Sequence, residues 1–175
     1  MQGAFTTIAK SKIPTIALAH GFCIGGATSL VSACDIRLAT KDAKFSIGET
    51  KLGLVADVGV IQRMPKIVSS GDMNELALTG RIFDGEHAEK IRFVSKVYEN
   101  SDDLFEAGEK LANEISSNSK RIVQATKEAL EKSSNLTVDQ GLEYAKLWST
   151  SFLVSEDLRE GVMAFLEKRD PKFNE

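Results

Sequence analysis

The sequence predicts an α/β fold, a mostly parallel sheet with crossover helices, followed by a helical C-terminal region. Three observations predict it. Short apolar runs bounded by turn residues recur in the first part of the chain. Helix-like segments alternate with those runs, as strand–helix–strand units require. Beyond about residue 101 the pattern is helical almost to the end. The chain therefore divides into an α/β core over residues 1–100 and a helical region over residues 101–175.

The elements follow in order. Residues 1–12 read as the end of a helix, with Phe5, Ile8 and Ala9 on one side and Pro14 closing it. The run Thr15-Ile16-Ala17-Leu18-Ala19 reads as a buried strand. It breaks at glycines, and a helix is predicted over 27–33. Residues 35–39 and 44–47 read as short strands. Helical segments are predicted over 57–67, 74–78 and 84–91, the last with Asp84 as N-cap. Residues 93–98 are the last strand candidate. Helices are then predicted over 103–116, 120–132, 138–153 and 156–168. In the last, Leu158, Val162, Phe165 and Leu166 recur at helical spacing. The linkers are short: Ser69-Ser70-Gly71, Asn100-Ser101 and Ser133-Ser134-Asn135.

Composition bounds the chemistry. At 175 residues the chain is long enough for a real core. Hydrophobic residues make up 42% and charged residues 27%, ordinary for a globular protein. The net charge of −3 and the absence of a basic stripe argue against nucleic acid as a partner. No apolar run approaches the roughly 20 residues of a membrane span. The N-terminus has neither the basic nor the long apolar part of a secretory signal. Cys23 and Cys34 are too far apart for a CxxC motif and read as plain thiols. The two histidines, His20 and His87, exclude a His-rich metal site.

The most informative stretch is Ala19-His20-Gly21-Phe22-Cys23-Ile24-Gly25-Gly26-Ala27, with Glu49 and Asp57 downstream. A Gly-Gly turn entering a helix lets backbone N–H groups approach a ligand without a Cβ in the way. Such N–H groups stabilise an anion formed during reaction. Two acids could then move protons, and the combination points to enolate chemistry. Each residue also has a plainer reading. Gly25 and Gly26 fit tight strand–helix packing, Glu49 a solvated loop, and Asp57 a helix N-cap. His20 reads as structural, Cys23 and Cys34 as small core fillers, and Trp148 as helix packing. Lys51, Arg63 and Lys66 read as solvated surface cations, with phosphate groups of a ligand as the alternative.

The string Ile16-Ala17-Leu18-Ala19-His20-Gly21, then Gly25-Gly26, then Ala33-Cys34-Asp35-Ile36-Arg37 resembles the crotonase, or enoyl-CoA hydratase/isomerase, superfamily. Phe45-Ser46-Ile47-Gly48-Glu49, Leu52-Gly53-Leu54, Gln62-Arg63-Met64-Pro65 and Glu75-Leu76-Ala77-Leu78-Thr79-Gly80 continue it in order. Glu156-Asp157, Glu160-Gly161, Ala164-Phe165 and Lys168-Arg169 complete it, so the resemblance runs from about residue 10 to 173. Each piece alone is weak; the ordered set is specific.

The resemblance implies a crotonase-like spiral of ββα turns with a C-terminal helical trimerisation region, often stacked into hexamers. It implies acyl-CoA thioester substrates of fatty acid metabolism and β-oxidation, with no cofactor beyond the CoA of the substrate. One of the family's two oxyanion-hole N–H groups maps to Gly26, with Gly25 beside it as substrate-binding. The other belongs to an earlier loop, and the N-terminal turns that carry it are expected to be missing from this chain. The compartment is expected to be the cytoplasm for a bacterial source. For a eukaryotic source it is the mitochondrion or peroxisome, with the targeting segment among the missing residues.

The acids separate the family's reactions. Glu49 matches the general acid/base position. Hydratases of the family place a second glutamate where this chain has Ser29, and serine is no proton acceptor near neutral pH. Dienoyl-CoA isomerases add an aspartate eight residues after the glutamate, which is Asp57 here, although they usually also have an aspartate at the Ser29 position. Trp148 and the run Ser155-Glu156-Asp157-Leu158 lean the same way. The resemblance thus implies double-bond shifting in a dienoyl-CoA or 3-enoyl-CoA, with Glu49, Asp57 and Gly26 as the catalytic groups. Alternatives are hydration, another enolate reaction such as thioester hydrolysis or decarboxylation, and an inactive fragment or assembly subunit.

Overall fold

The computed structural model describes residues 1–173. The chain separates into two compact units. The first comprises Met1–Ser11 and Thr15–Lys110; the second comprises Lys12–Pro14 and the residues from Leu111 onward.

The first unit opens with helix α1 (Gln2–Ala9) and strands β1 (Ile16–Ala19) and β2 (Phe22–Ile24). Helix α2 (Gly26–Val31), strand β3 (Ile36–Thr40) and strand β4 (Lys44–Ser46) follow. After a 3-10 turn (Gly48–Leu52) come α3 (Val60–Arg63), a second 3-10 turn (Met64–Lys66) and α4 (Ser70–Thr79). Then β5 (Phe83–Asp84), α5 (Gly85–Lys90), β6 (Lys96–Tyr98) and α6 (Ser101–Ser116) complete the order, the unit boundary falling within α6.

Two three-stranded sheets result. One has the order β1-β3-β6 and is wholly parallel, with Ile16 opposite Ile36 and Leu38 opposite Lys96. The other has the order β2-β4-β5, with β2 and β4 parallel and β5 antiparallel to β4. Successive strands β1, β2 and β3, β4 thus feed alternate sheets, and α2 makes the crossover between the pairs. The core is apolar and aromatic. Phe45 and Phe93 are fully buried, and Phe45 stacks on Phe83 at 5.5 Å while meeting Phe93 edge-on at 5.5 Å.

Several elements differ from the sequence reading, each for a local reason. Strand β2 occupies what reads as a pure glycine turn. Its three residues alternate exposed, buried, exposed, and Gly21 (φ +62°) and Gly25 (φ +58°) bend the chain at either end. The helix predicted over 57–67 starts only at Val60, because Gly59 takes a left-handed conformation at φ +118°. Asp57 is therefore not its N-cap. Ser70 and Gly71 lie inside α4 rather than in a linker, since the Ser69 hydroxyl accepts from the Asp72 N–H and caps a helix that starts at Ser70 instead of residue 74. The strand over 93–98 shortens to β6. Arg92 is left-handed at φ +66°, and the Phe93 and Val94 N–H groups donate to the Ala88 carbonyl. Asp84 caps α5 as expected, accepting from the His87 N–H at 2.9 Å.

The second unit carries α7 (Lys120–Ser133), α8 (Val138–Thr150) and α9 (Glu156–Glu167). Helix α8 begins with a full capping box between Thr137 and Gln140. Ser119 caps α7 and donates its hydroxyl to Asp157 at 2.6 Å. Trp148 packs between the rings of Tyr144 and Phe152. Among the described residues, no helix is long and apolar enough to cross a membrane.

Candidate active site

The Gly25-Gly26 turn sits between β2 and α2. Gly25 has φ +58° and ψ −113°, a backbone conformation that side chains disfavour. Its N–H donates to the Ser46 carbonyl at 2.8 Å, so this donor is engaged with strand β4. Gly26 is the first residue of α2, where a helix leaves its N–H without an intrahelical partner. Of the two glycines, Gly26 therefore offers the N–H and Gly25 offers the bend and the open space.

That space faces Glu49. A Cβ on Gly25 would lie 3.4 Å from Glu49 Oε1. Glu49 is half-buried on the 3-10 turn that follows β4, and its Oε2 is buried with no hydrogen-bond partner. The turn is anchored on both flanks. Thr50 donates its hydroxyl to the Ala77 carbonyl at 2.7 Å, and Ser46 donates to the Gly80 carbonyl at 3.0 Å. A carboxylate is thus held against the glycine turn with an oxygen to spare.

Ser29 lies one turn along α2 from Gly25 and Gly26. It is fully buried, and its hydroxyl also has no partner. Buried polar atoms are nearly always hydrogen-bonded, so two unpartnered ones here mark this region as the candidate site, while Thr40 Oγ1 and Trp148 Nε1 are likewise unpartnered elsewhere.

Asp57 stands apart. It is exposed, and its backbone carbonyl accepts from Gln2 Nε2 at 2.6 Å. Among the described residues, no hydrogen bond links its side chain to Glu49 or to the glycine turn. The structure therefore brings Glu49 and Gly25-Gly26 together and leaves Asp57 outside that contact.

The remaining candidates are placed as follows. His20 is exposed beyond β1, its ring edge-on to Phe105 at 5.8 Å. Cys23 is buried on β2, and burial pushes its thiol pKa up, which suits an inert filler. Cys34 is half-buried, with its Sγ 3.6 Å from the Leu30 carbonyl. Arg63 is not a free surface cation. Its guanidinium donates to the Val58 carbonyl at 3.3 Å and to the Thr6 hydroxyl at 3.2 Å. It also fills the space beside Gly59, so a phosphate contact would have to displace it. Thr28 and Ser46 were not singled out by the sequence. Both are buried polar residues at the seam between β2, α2 and β4, and a polar side chain within an apolar stretch is the one signal that marks them.

Relatives with this sequence and architecture are numerous. The enoyl-CoA hydratase/isomerase family profile matches residues 1–175. The mitochondrial Delta(3,5)-Delta(2,4)-dienoyl-CoA isomerase of Dictyostelium discoideum is 49% identical over 172 residues, covering 98% of this chain and 59% of that protein. The peroxisomal Delta(3,5)-Delta(2,4)-dienoyl-CoA isomerase of Arabidopsis thaliana is 43% identical over 173 residues, covering 99% of this chain and 62% of that one. This chain therefore spans about 60% of the length of these curated relatives. Among solved structures, an enoyl-CoA hydratase from Bacillus anthracis matches with a TM-score of 0.92 and 30% identity, over 98% of this chain and 66% of its own. An enoyl-CoA hydratase/isomerase family protein from Hyphomonas neptunium matches at 0.90 and 34%, over 98% and 64%. The fold is the crotonase-like α/β fold with its C-terminal helices, and the chain belongs to the enoyl-CoA hydratase/isomerase family.

Proposed function

We propose that this chain carries the acid–base machinery of a fatty acyl-CoA double-bond isomerase acting on a dienoyl-CoA or 3-enoyl-CoA. The observation that carries this reading is the Glu49 carboxylate held against the Gly25-Gly26 turn. The identity to proteins named dienoyl-CoA isomerases supports the substrate class.

The chemistry follows from the two isomers. A 3,5-dienoyl thioester and its 2,4-isomer differ by one proton lost from C2 and one gained at C6. Loss of the C2 proton to a carboxylate leaves its electron pair delocalised over the carbon chain and the thioester oxygen. The Gly26 N–H donates to that oxygen as charge builds. The shifted electron pair takes a proton at C6 from a second acid, and the 2,4-diene results. The two carbons are several bonds apart, so two acids serve the transfer better than one. Glu49 and Asp57 are the pair proposed here, with Asp57 reaching the site once substrate or further protein covers it. Ser29 can orient a hydroxyl or water but cannot accept the proton that hydration would require. We further propose self-association into trimers or hexamers through the C-terminal helices, and the mitochondrion, peroxisome or bacterial cytoplasm as the setting.

Dienoyl-CoA isomerisation and 2-enoyl-CoA hydration can both be followed by ultraviolet absorbance on one preparation of active protein. The specificity constant for isomerisation is expected to be the larger, and Glu49→Gln is expected to lower isomerase turnover by about 10² or more. A larger constant for hydration would reassign the reaction, and a folded Glu49→Gln protein with unchanged turnover would remove Glu49 from it.

A further inference from the structure

Thr28 has no direct use in the reaction above, yet it is fully buried where β2, α2 and β4 meet. Its hydroxyl donates to the Cys23 carbonyl on β2. The same oxygen lies 3.1 Å from the Ser46 carbonyl and 3.4 Å from the Ser46 nitrogen on β4. A hydroxyl has one proton to give and lone pairs to receive. Donation to Cys23 with acceptance from the Ser46 N–H therefore uses the groups that surround it. The Gly25 N–H bond to the Ser46 carbonyl closes the set at 2.8 Å.

The two strand residues joined in this way each lead directly into the site. The chain passes from Cys23 through Ile24 to the Gly25-Gly26 turn, and from Ser46 through Ile47 and Gly48 to Glu49. Packing alone does not call for a hydroxyl here, because valine has the same branched shape. Resting on the isomerase reading, we infer that Thr28 is a positioning residue whose hydroxyl locks the Gly26 N–H and the Glu49 carboxylate into one geometry. Added to the β2–β4 pairing and the Gly25–Ser46 bond, this contact across 18 residues of sequence ties donor and base more firmly into one body. Small misplacements of such groups are costly to rate, which gives a single buried hydroxyl its leverage.

Thr28→Ser and Thr28→Ala test this, since the two variants differ by the hydroxyl alone. Amide hydrogen exchange on the 175-residue chain reads the lock without any substrate. The Gly25 amide is expected to exchange about tenfold faster in Thr28→Ala than in Thr28→Ser, the scale of one net hydrogen bond. The core amides of Phe93 and Leu104 are expected to be unchanged. In active protein, kcat is expected to fall roughly 10–10²-fold in Thr28→Ala, with KM near the parent value and kcat recovered in Thr28→Ser. Equal Gly25 exchange and equal kcat in the two variants would overturn the inference. Uniform acceleration at every amide would overturn it too, by assigning Thr28 to stability alone. If Thr28→Ala does not fold, Thr28→Val fills the volume without the hydroxyl and takes its place in both measurements. Should the parent protein show no isomerase turnover, the functional reading fails, and the Gly25 exchange still decides whether the hydroxyl holds the turn.

Discussion

Gly25 and Gly26 are neighbours with opposite tolerance. Gly25 combines φ +58° with ψ −113°, and a Cβ there would meet Glu49 Oε1 at 3.4 Å. Gly25→Ala is therefore expected to lower stability by about 1–3 kcal/mol, the usual cost of a side chain in such a backbone conformation. Gly26 is helical and has nothing within 4 Å of its Cβ position. Gly26→Ala is expected to change stability by less than about 1 kcal/mol, since a helical position accepts alanine. Urea unfolding of both variants checks the contrast, and equal losses would contradict it. The glycines and Glu49 were legible in the sequence because a turn entering a helix and an acid after a strand are local patterns. The contact that joins them was not, because the two turns follow different strands and meet only once β2 pairs with β4. The capping role read for Asp57 failed on one residue, since the left-handed Gly59 delays the helix.

Among the elements, α9 has the most pronounced electrostatics. Arg169 grips Glu160 with two nitrogens, at 2.6 and 3.1 Å, and the Lys172 N–H adds a bond at 2.7 Å. Chiefly through the Arg169 bond, the Glu160 carboxyl pKa is pushed down to about 2. The folded carboxyl thus ionises more readily than the unfolded one, whose ordinary value is 4.5. The pair holds the end of α9 fully above about pH 4.5, and that hold fades as pH falls toward 2. Protection of the α9 amides against hydrogen exchange is expected to drop across this window in the parent and to be flat in Glu160→Gln. Helices of this length were readable from apolar spacing and caps. Strands β2 and β5, with three and two residues, were not, because they have too few residues to display an alternation and owe their state to β4 between them.

At the scale of the molecule, the second unit displays more apolar surface than a lone helical bundle needs. Leu147, Val154, Phe165 and Leu166 are exposed, Phe165 by 82%. If these residues mediate the proposed self-association, Phe165→Asp with Leu166→Asp is expected to reduce the particle mass by light scattering. An unchanged mass would place the contact elsewhere. The sequence changes periodicity near residue 100, whereas the boundary between the compact units falls inside α6, a place no pattern marks because that helix carries one continuous pattern. The parallel sheet also has a consequence in time. Leu38 pairs with Lys96, so β3 must wait for β6 to be synthesised. At about 5–20 residues per second that wait is roughly 3–12 s. For those seconds the nascent chain presents an open strand edge with its aromatic core unfinished. Whatever shields that edge at the ribosome is therefore expected to raise the yield of soluble protein.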